Sequence, residues 1–482
     1  MAEQRRGLVV AALMLTTGLA AIDATIVATA VPQIVHDLGG FAKFPWLFSL
    51  YLLTQSVLVP IYGRLADVFG RKPMLLFGIG VFLVASVLCG SAWSMVSLIA
   101  FRGLQGIGAG AIIPMTTTIV ADLYEPVDRG RIQGYISGVW GVTAIVGPTV
   151  GGLFAEYLSW RGIFFVNIPI GLGALWMLQL HLREDVARRA HRIDLAGAVV
   201  LTLGLSALIL ALLEGGVSWS WTSAQSIALF AAAGALLVAF PPIERSAAEP
   251  ILPLWVLRPR ILVSTNLAGF VIGAILIGLT SYVPTFAQRV VGVGAVVAGL
   301  ALGAMTVGWP IAATLSPKVY LRLGYRRTAL LGGVFASMGC LLFALLVDAS
   351  SIWRIAVASF VTGFGLGFSS VSTVVSAQSV VGWERRGVVT GTNMFIRSLG
   401  SAVGVAVFGS IVNSELHGGA TLYHAIHVVF WVLVGVAFLG LAAQLTMPKR
   451  VEPLVFDDEG AGYARAGLPS TPARPATSRA RS

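Results

Sequence analysis

One apolar run of the chain reads Gly106-Ile107-Gly108-Ala109-Gly110, and 257 residues later another reads Gly363-Phe364-Gly365-Leu366-Gly367. Working outwards at the same offset, Thr116 falls on Thr373 and Arg129-Gly130 on Arg386-Gly387. Gly134, Gly147 and Gly152 fall on Gly391, Gly404 and Gly409. Glycine-rich membrane helices resemble one another by chance, and the chain has 56 glycines. Nine matches at one offset within 47 residues argue instead for an internal duplication in parallel orientation. A nearby offset lays Gly70-Arg71-Lys72 beside Gly324-Tyr325-Arg326-Arg327.

The medium in which these copies fold follows from composition. Of 482 residues, 11% are charged and 57% belong to the hydrophobic set, with a mean hydropathy of +0.87. Ordinary soluble domains carry about 25% charged residues. So few charges exclude a cytosolic enzyme, a disordered chain and a secreted disulfide scaffold. The two cysteines, Cys89 and Cys340, lie in apolar runs and carry no redox information.

A spanning helix needs about 20 mostly apolar residues. Fourteen runs qualify, near 8–30, 45–66, 74–92, 96–121, 132–157, 162–182, 194–214, 224–243, 262–287, 292–315, 328–348, 352–379, 388–413 and 424–446. They are continuous rather than alternating, which fits helices and not a barrel. The first run lacks a small-residue cleavage site and is read as a retained span. With the N-terminus inside, 26 of the 32 Lys and Arg fall on the inner side, including six in the tail. Lys43, Arg161, Arg289 and Arg354 fall outside, and Arg102 and Arg397 fall within spans. The positive-inside rule then places both termini in the cytoplasm. The net charge of +11 thus reflects topology and contact with anionic lipid heads, with no nucleic acid implied.

The expected architecture is an all-α membrane protein of 14 transmembrane helices. Residues 8–182 form an N-terminal six-helix bundle, 183–260 carry two extra helices and linkers, and 261–446 form a C-terminal six-helix bundle. The tail 447–482, rich in Pro, Ala, Arg and Ser, is expected to be disordered. The two extra helices have charges only at their ends, and a peripheral scaffold or lipid-facing role is the default for them. Parallel six-span halves place a substrate site between them near the midplane.

Motifs give the resemblance. The loop between spans 2 and 3 reads GRLADVFGRK, Gly63 to Lys72. Span 4 holds FRGLQGIGAG, Phe101 to Gly110, and span 5 holds GPTVGG, Gly147 to Gly152. Span 1 holds AIDATIVATAVP, Ala21 to Pro32, and WRGIFFVNIPIG runs from Trp160 to Gly171. Together, over about residues 8–446, these resemble the major facilitator superfamily, and within it the fourteen-spanner drug:proton antiporters of bacterial multidrug efflux. One departure is Thr143, where the family pattern of span 5 has a glycine. The resemblance implies a conformational latch at Gly63, Asp67, Gly70 and Arg71, in which Asp67 faces the N-terminal end of a helix in the other half. A carboxylate so placed contributes roughly 0.3–1 kcal/mol. A solvated turn that only fixes topology is the plainer reading of the same residues. The resemblance also implies that Gly147, Pro148, Gly151 and Gly152 seal the cavity.

Asp23 is the one carboxylate deep in a span, a costly placement that is usually functional. Counting ~1.5 Å per residue from the outer ends of spans 1 and 4 puts Asp23 and Arg102 at similar depth. Gln105, three residues on, shares the face of Arg102. Burial raises the affinity of Asp23 for a proton and Arg102 lowers it, a balance suited to proton coupling. A permanent ion pair joining spans 1 and 4 is the alternative. Asn393 and Arg397 lie on one face of span 13. Asn167, Asn266 and Tyr282 are polar in apolar runs and are candidates for the cavity, with helix capping as the other possibility. Arg397 either pairs with backbone carbonyls, snorkels its head towards water, or lines the cavity; in the last case the fixed charges there sum to +1 and disfavour dications.

The expected function is proton-coupled export of hydrophobic or amphipathic compounds across the bacterial inner membrane. Its partners are protons, lipids and small substrates; a monomer is expected, with no cofactor and no metal. The same fold exporting a lipid, siderophore or metabolite, or working as a symporter, is the nearest rival. No Walker-type loop exists, because none of Lys43, Lys72, Lys318 and Lys449 follows a glycine. A membrane-embedded enzyme would need clustered acids or histidines at one depth, and a channel a ring of like charges; the spans hold neither. His424 and His427 have metal-compatible spacing at a wet loop end.

Overall fold

A computed structural model describes residues 2–124, 126–182, 184, 194–215, 218–247, 252, 254–346, 351–382, 385–449, 451–452, 454–456 and 463–464. Long helices dominate it. The first group is α1 (Ala2–Leu38), α2 (Pro45–Phe69), α3 (Arg71–Gly90), α4 (Met95–Leu123), α5 (Pro126–Tyr157), α6 (Gly162–Phe165) and α7 (Asn167–His181). Two more follow, α8 (Leu195–Glu214) and α9 (Ala224–Ser246). The last group is α10 (Arg260–Phe286), α11 (Ala295–Leu323), α12 (Tyr325–Leu346), α13 (Ile352–Ser379), α14 (Arg386–His417) and α15 (Leu422–Leu445). Thirteen helices, with α6 and α7 taken together, are long and apolar enough to cross a membrane. The 25-residue α2 is a further long helix; its side chains at 60, 63, 64, 67 and 68 lie outside the described residues. The chain is a helical multi-pass membrane protein.

Helix ends and breaks follow local chemistry. Ser94 and Ser97 form a reciprocal capping box at the start of α4, each side chain 3.1 Å from the other's backbone nitrogen. The run 162–182 divides at Val166, because Pro169 has no N–H for the Phe165 carbonyl. That division puts Asn167 at the first turn of α7. The α10 helix continues as a π-helical turn, Ala287–Val291, closed by Gly292 at φ 79°.

The repeat is legible in the packing. α4 lies against α2 and α3, and α13 against α11 and α12. α1 lies against α5, as α10 does against α14. The glycines of the opening motif do the same work in both copies. A Cβ at Gly108 would sit 2.5 Å from the Phe82 nitrogen and 2.6 Å from the Gly78 carbonyl oxygen of α3. A Cβ at its mate Gly365 would meet Ala336 and the Gly332 carbonyl of α12. Hydrocarbon supplies no hydrophobic drive between helices, so close backbone approach supplies the packing.

One expectation narrows and one changes. Of the scaffold and lipid-facing alternatives, α8 fits the scaffold: it packs against both α2 and α14, and the Trp46 indole donates to the Glu214 carboxylate at 2.9 Å. Its Leu201, Leu205, Ile209 and Leu213 share one apolar cluster with Leu53, Val57, Phe395 and Ala402. Part of the chain read as a disordered tail is also packed. The Leu454 N–H donates to the Val380 carbonyl at 2.7 Å, Val451 and Leu454 pack against the cluster of Val256, Val380 and Val381, and Val455–Phe456 pairs antiparallel with Tyr463–Ala464. These are the apolar residues of the tail, and they have a core edge within reach.

Gly108→Ala is expected to destabilise the protein by about 1–3 kcal/mol through overpacking against backbone. Gly80→Ala, on α3 with nothing within 4 Å of the new methyl, is expected to be near neutral. Thermal unfolding of the two purified variants in detergent checks the contrast.

Candidate functional site

A charged cluster lies inside the first group of helices. Asp23 of α1 and Arg102 of α4 are 0% and 1% exposed, with Arg102 Nη1 2.7 Å from Asp23 Oδ2. Gln105 Nε2 donates to Asp23 Oδ1 at 2.8 Å, and Asn167 Nδ2 donates to the same oxygen at 3.2 Å. Asp23 therefore accepts three hydrogen bonds, the pattern of an ionised carboxylate. Arg102 also donates to Gln105 Oε1 at 2.7 Å and, through Nε, to the Leu47 carbonyl at 3.2 Å. Its guanidinium lies 4.0 Å from the ring centroid of Tyr51. Ser86 of α3 accepts from Gln105 at 2.9 Å and from Asn167 at 3.2 Å. The Cys89 thiol contacts Gln105 Oε1 at 3.7 Å.

Five helices thus meet at one ion pair. The α4 capping box fixes the helix register, and the i, i+3 spacing puts Arg102 and Gln105 on one face. The approach of α3 and α4 at Gly78 and Gly108 brings Ser86 within reach of Gln105. Asn167 reaches Asp23 from the first turn of α7. Asn167, expected in the cavity, is instead fully buried in this cluster. Ser86, Cys89 and Tyr51 are members that sequence reading missed; nothing in their local pattern distinguishes them from packing residues.

A second polar group lies on the α10–α14 seam. Asn393 Nδ2 donates to the Thr265 carbonyl at 3.0 Å and to Asn266 Oδ1 at 3.3 Å. Ser401 donates to the Gly273 carbonyl at 3.0 Å. Arg397 lies between Asn393 and Ser401 on the same face, half-buried.

The two groups of helices are joined at the end where α1 finishes and α2 begins. Gln33 Nε2 donates to Gln288 Oε1 at 3.1 Å, and Gln288 Nε2 to the Thr29 carbonyl at 3.0 Å. Arg289 donates to the Pro32 carbonyl at 2.9 Å, and Asn413 to the Ala42 carbonyl at 2.8 Å. Gln288 and Arg289 both come from the π-helical turn, a distortion frequent at functional sites. Tyr282 belongs to this closure: it is fully buried, edge-on to Phe44 at 5.5 Å, and its hydroxyl has no hydrogen-bond partner.

The span 5 glycines complete the seal. Gly147 and Gly151 face α1, meeting Thr25 and the Ile26 carbonyl respectively, while a Cβ at Gly152 would lie 2.8 Å from the Val296 nitrogen of α11. The Pro148 carbonyl oxygen is 2.8 Å from the Cβ position of Gly299. Thr143 replaces the family glycine without forcing α1 away, because its hydroxyl folds back onto the Val139 carbonyl at 2.9 Å.

At the opposite end, Gly70 adopts φ 99° and α3 begins on Glu184. The Arg71 and Lys72 backbone nitrogens donate to its two carboxylate oxygens at 2.6 and 3.0 Å. Lys72 Nζ donates to the carbonyls of Gln179 and Leu182 at 2.9 and 2.7 Å. Glu184 was not singled out by sequence, although an acid just past a span end is a visible cue. Gly63 and the Asp67 side chain lie outside the described residues, so the latch expectation has no structural counterpart here. His427 bonds the Ala344 carbonyl at 2.8 Å while His424 lies 3.7 Å from Glu415; the two do not converge.

Two groups of long helices, one buried ion pair and a seal at one end define a membrane carrier rather than an enzyme. The chain belongs to the Major Facilitator Superfamily, whose family model matches residues 13–405. It is a transporter. Multidrug resistance protein 3 of Bacillus subtilis (strain 168) is 35% identical over 404 residues, 84% of this chain and 79% of that protein. Multidrug transporter protein MdtP of the same organism is 34% identical over 416 residues, 86% and 76% of the two chains. Among solved structures, a bacterial homolog of the human lysosomal transporter Spinster, inward-facing and unoccupied, superposes with a TM-score of 0.68 at 17% identity, covering 92% of this chain and 98% of that one.

Arg102→Gln leaves a buried carboxylate without its countercharge and is expected to cost about 3–5 kcal/mol. Adding Asp23→Asn should recover a large part of that loss. Denaturant titration of the single and double variants in detergent measures the coupling.

Proposed function

We propose that this chain is a proton-coupled exporter of hydrophobic and amphipathic compounds, of multidrug type, acting as a monomer in a bacterial inner membrane. Fourteen spans form two six-span halves, α1–α7 and α10–α15, with α8 and α9 inserted and both termini cytoplasmic. The names of the relatives and the positive-inside pattern support this reading. The observation that carries it is the wholly buried Asp23, held between Arg102, Gln105 and Asn167 on helices of one half.

On this topology the sealed end is the outer one, and the protein is closed to the outside. Asp23 is ionised, Gln105 is held in its cluster like Asn167, and substrate loads from the cytoplasm among Asn266, Asn393 and Arg397. Opening the outer end breaks the Gln33–Gln288 and Arg289–Pro32 contacts and gives Asp23 access to external protons. A protonated Asp23 has no charge to offer Arg102, so the cluster rearranges and substrate leaves. Return to the inward state restores the three donors around Asp23 and expels the proton inwards. Coupling requires that substrate affinity differ between the two states. The Asp67 latch at the cytoplasmic end biases which side is open.

Purified protein in liposomes under an imposed pH gradient tests the coupling. With a panel of dyes and antibiotics, wild type should show substrate-dependent proton flux and Asp23→Asn should show none. Flux unchanged in the variant would assign Asp23 a purely structural role. Alternating access is checked separately by joining the seal. Because Cys89 and Cys340 are buried, a Gln33→Cys/Gln288→Cys pair should be the one joined by a short bis-methanethiosulfonate cross-linker. Cross-linking should stop transport and reduction should restore it.

A further inference from the structure

The guanidinium of Arg397 has no hydrogen-bond or ion-pair partner among the described residues, although it lies about 14 Å into its span at ~1.5 Å per residue from Val388. The one acid deep in a span, Asp23, is committed to Arg102. A cation at such depth faces the bundle interior or a water-filled cavity rather than lipid. Arg397 is half-buried, so it is open to a ligand.

A second unfilled donor lies on the same α10–α14 seam. Asn266, 5% exposed, offers Oδ1 to Asn393 and keeps Nδ2 without a partner. Its orientation is fixed, because Asn393 Nδ2 is already aligned by the Thr265 carbonyl and only an acceptor can face it. Buried polar groups in native proteins are mostly satisfied by protein or by ordered water. Arg397 and Asn266 offer unfilled donors on one helix seam, and no acidic side chain among the described residues bonds to either.

We propose that the α10–α14 seam at Arg397 and Asn266 binds the carboxylate of an amphipathic substrate. The assignment rests on the exporter reading and narrows it to substrates carrying a carboxylate, zwitterions included. The fork of a guanidinium matches the two oxygens of a carboxylate, and charge-assisted hydrogen bonds are the strong ones. Phospholipid headgroups sit at the interface, not at this depth, so a soluble amphiphile is the occupant.

The test uses the full chain in nanodiscs and three probes with one apolar body: 2-naphthaleneacetate, its neutral amide, and 2-(2-naphthyl)ethylammonium. Affinity is read by equilibrium dialysis, with empty nanodiscs subtracted, and export by counterflow in liposomes. Wild type should bind the carboxylate about tenfold or more tighter than the amide. Arg397→Gln should abolish that preference. Arg397→Lys should keep part of it, and Asn266→Ala should weaken the carboxylate several-fold. Size-exclusion elution and thermal unfolding matching wild type show that the variants are folded. Equal binding of all three probes by wild type, unaltered in Arg397→Gln, would overturn the carboxylate site and leave the exporter reading intact. Export of none of the probes, nor of the dye and antibiotic panel, would overturn both.

Discussion

A buried ion pair in a membrane has nowhere to hide its charge. Moving a carboxylate and a guanidinium out of water costs several kcal/mol per ion even after relaxation, and their attraction offsets this only with good geometry and further hydrogen bonds. Asp23 and Arg102 meet those terms through Gln105, Asn167, Ser86 and the Leu47 carbonyl. The requirement reaches far along the chain. It needs α4 started in the right register by Ser94, α3 pressed to α4 at Gly78 and Gly108, and Asn167 set at the first turn of α7. The first group of helices is arranged around satisfying one charge pair.

The second group has the same scaffold but not the same charge chemistry. Its glycines at 363, 365 and 367 repeat the helix crossings of 106, 108 and 110, yet no acid stands where Asp23 stands in the first copy. Arg397 is left partly exposed and with no countercharge among the described residues. Duplication thus preserved packing, which depends on backbone approach, and let the polar groups diverge. The seal follows the same division: Gly152 and Gly299 bring α5 and α11 to backbone contact, while Gln33, Gln288 and Arg289 supply bonds that can be exchanged for water.

Much of this was legible from the chain. The repeat, the membrane class, the Asp23–Arg102 pairing and its Gln105 neighbour follow from apolar run length, depth arithmetic and helical spacing. The span 5 glycines were legible through resemblance. What was not legible depends on which faces meet in three dimensions. Asn167 and Tyr282 are both polar residues in apolar runs, and only packing sends one to the ion pair and the other to the seal. Ser86 and Cys89 look like any small core residues. α8 reads as a lipid-facing helix because it is uniformly apolar, and uniform apolarity says nothing about whether the neighbour is lipid, α2 or α14. Glu184 was visible as an acid past a span end, but its role at the start of α3 depends on a chain reversal that no local pattern encodes.

The charges bear on energetics as well as on binding. With Asp23 ionised, Arg102 and Arg397 leave a net charge of +1 in the spans, and a bound carboxylate brings that sum to zero. The loaded and sealed protein then carries no net charge through the membrane interior, which lowers the cost of rearranging it. Exporting a monoanion while importing one proton moves the equivalent of two positive charges inwards. At about 2.3 kcal/mol per charge per 100 mV, the membrane potential adds roughly 4–5 kcal/mol per 100 mV to the drive. A neutral substrate exchanged for the same proton gains half of that. On the proposed coupling, an arginine on the α10–α14 seam favours the substrates on which the membrane potential acts more strongly than on a neutral one, with Asp23 as the one coupling carboxylate of the proposal.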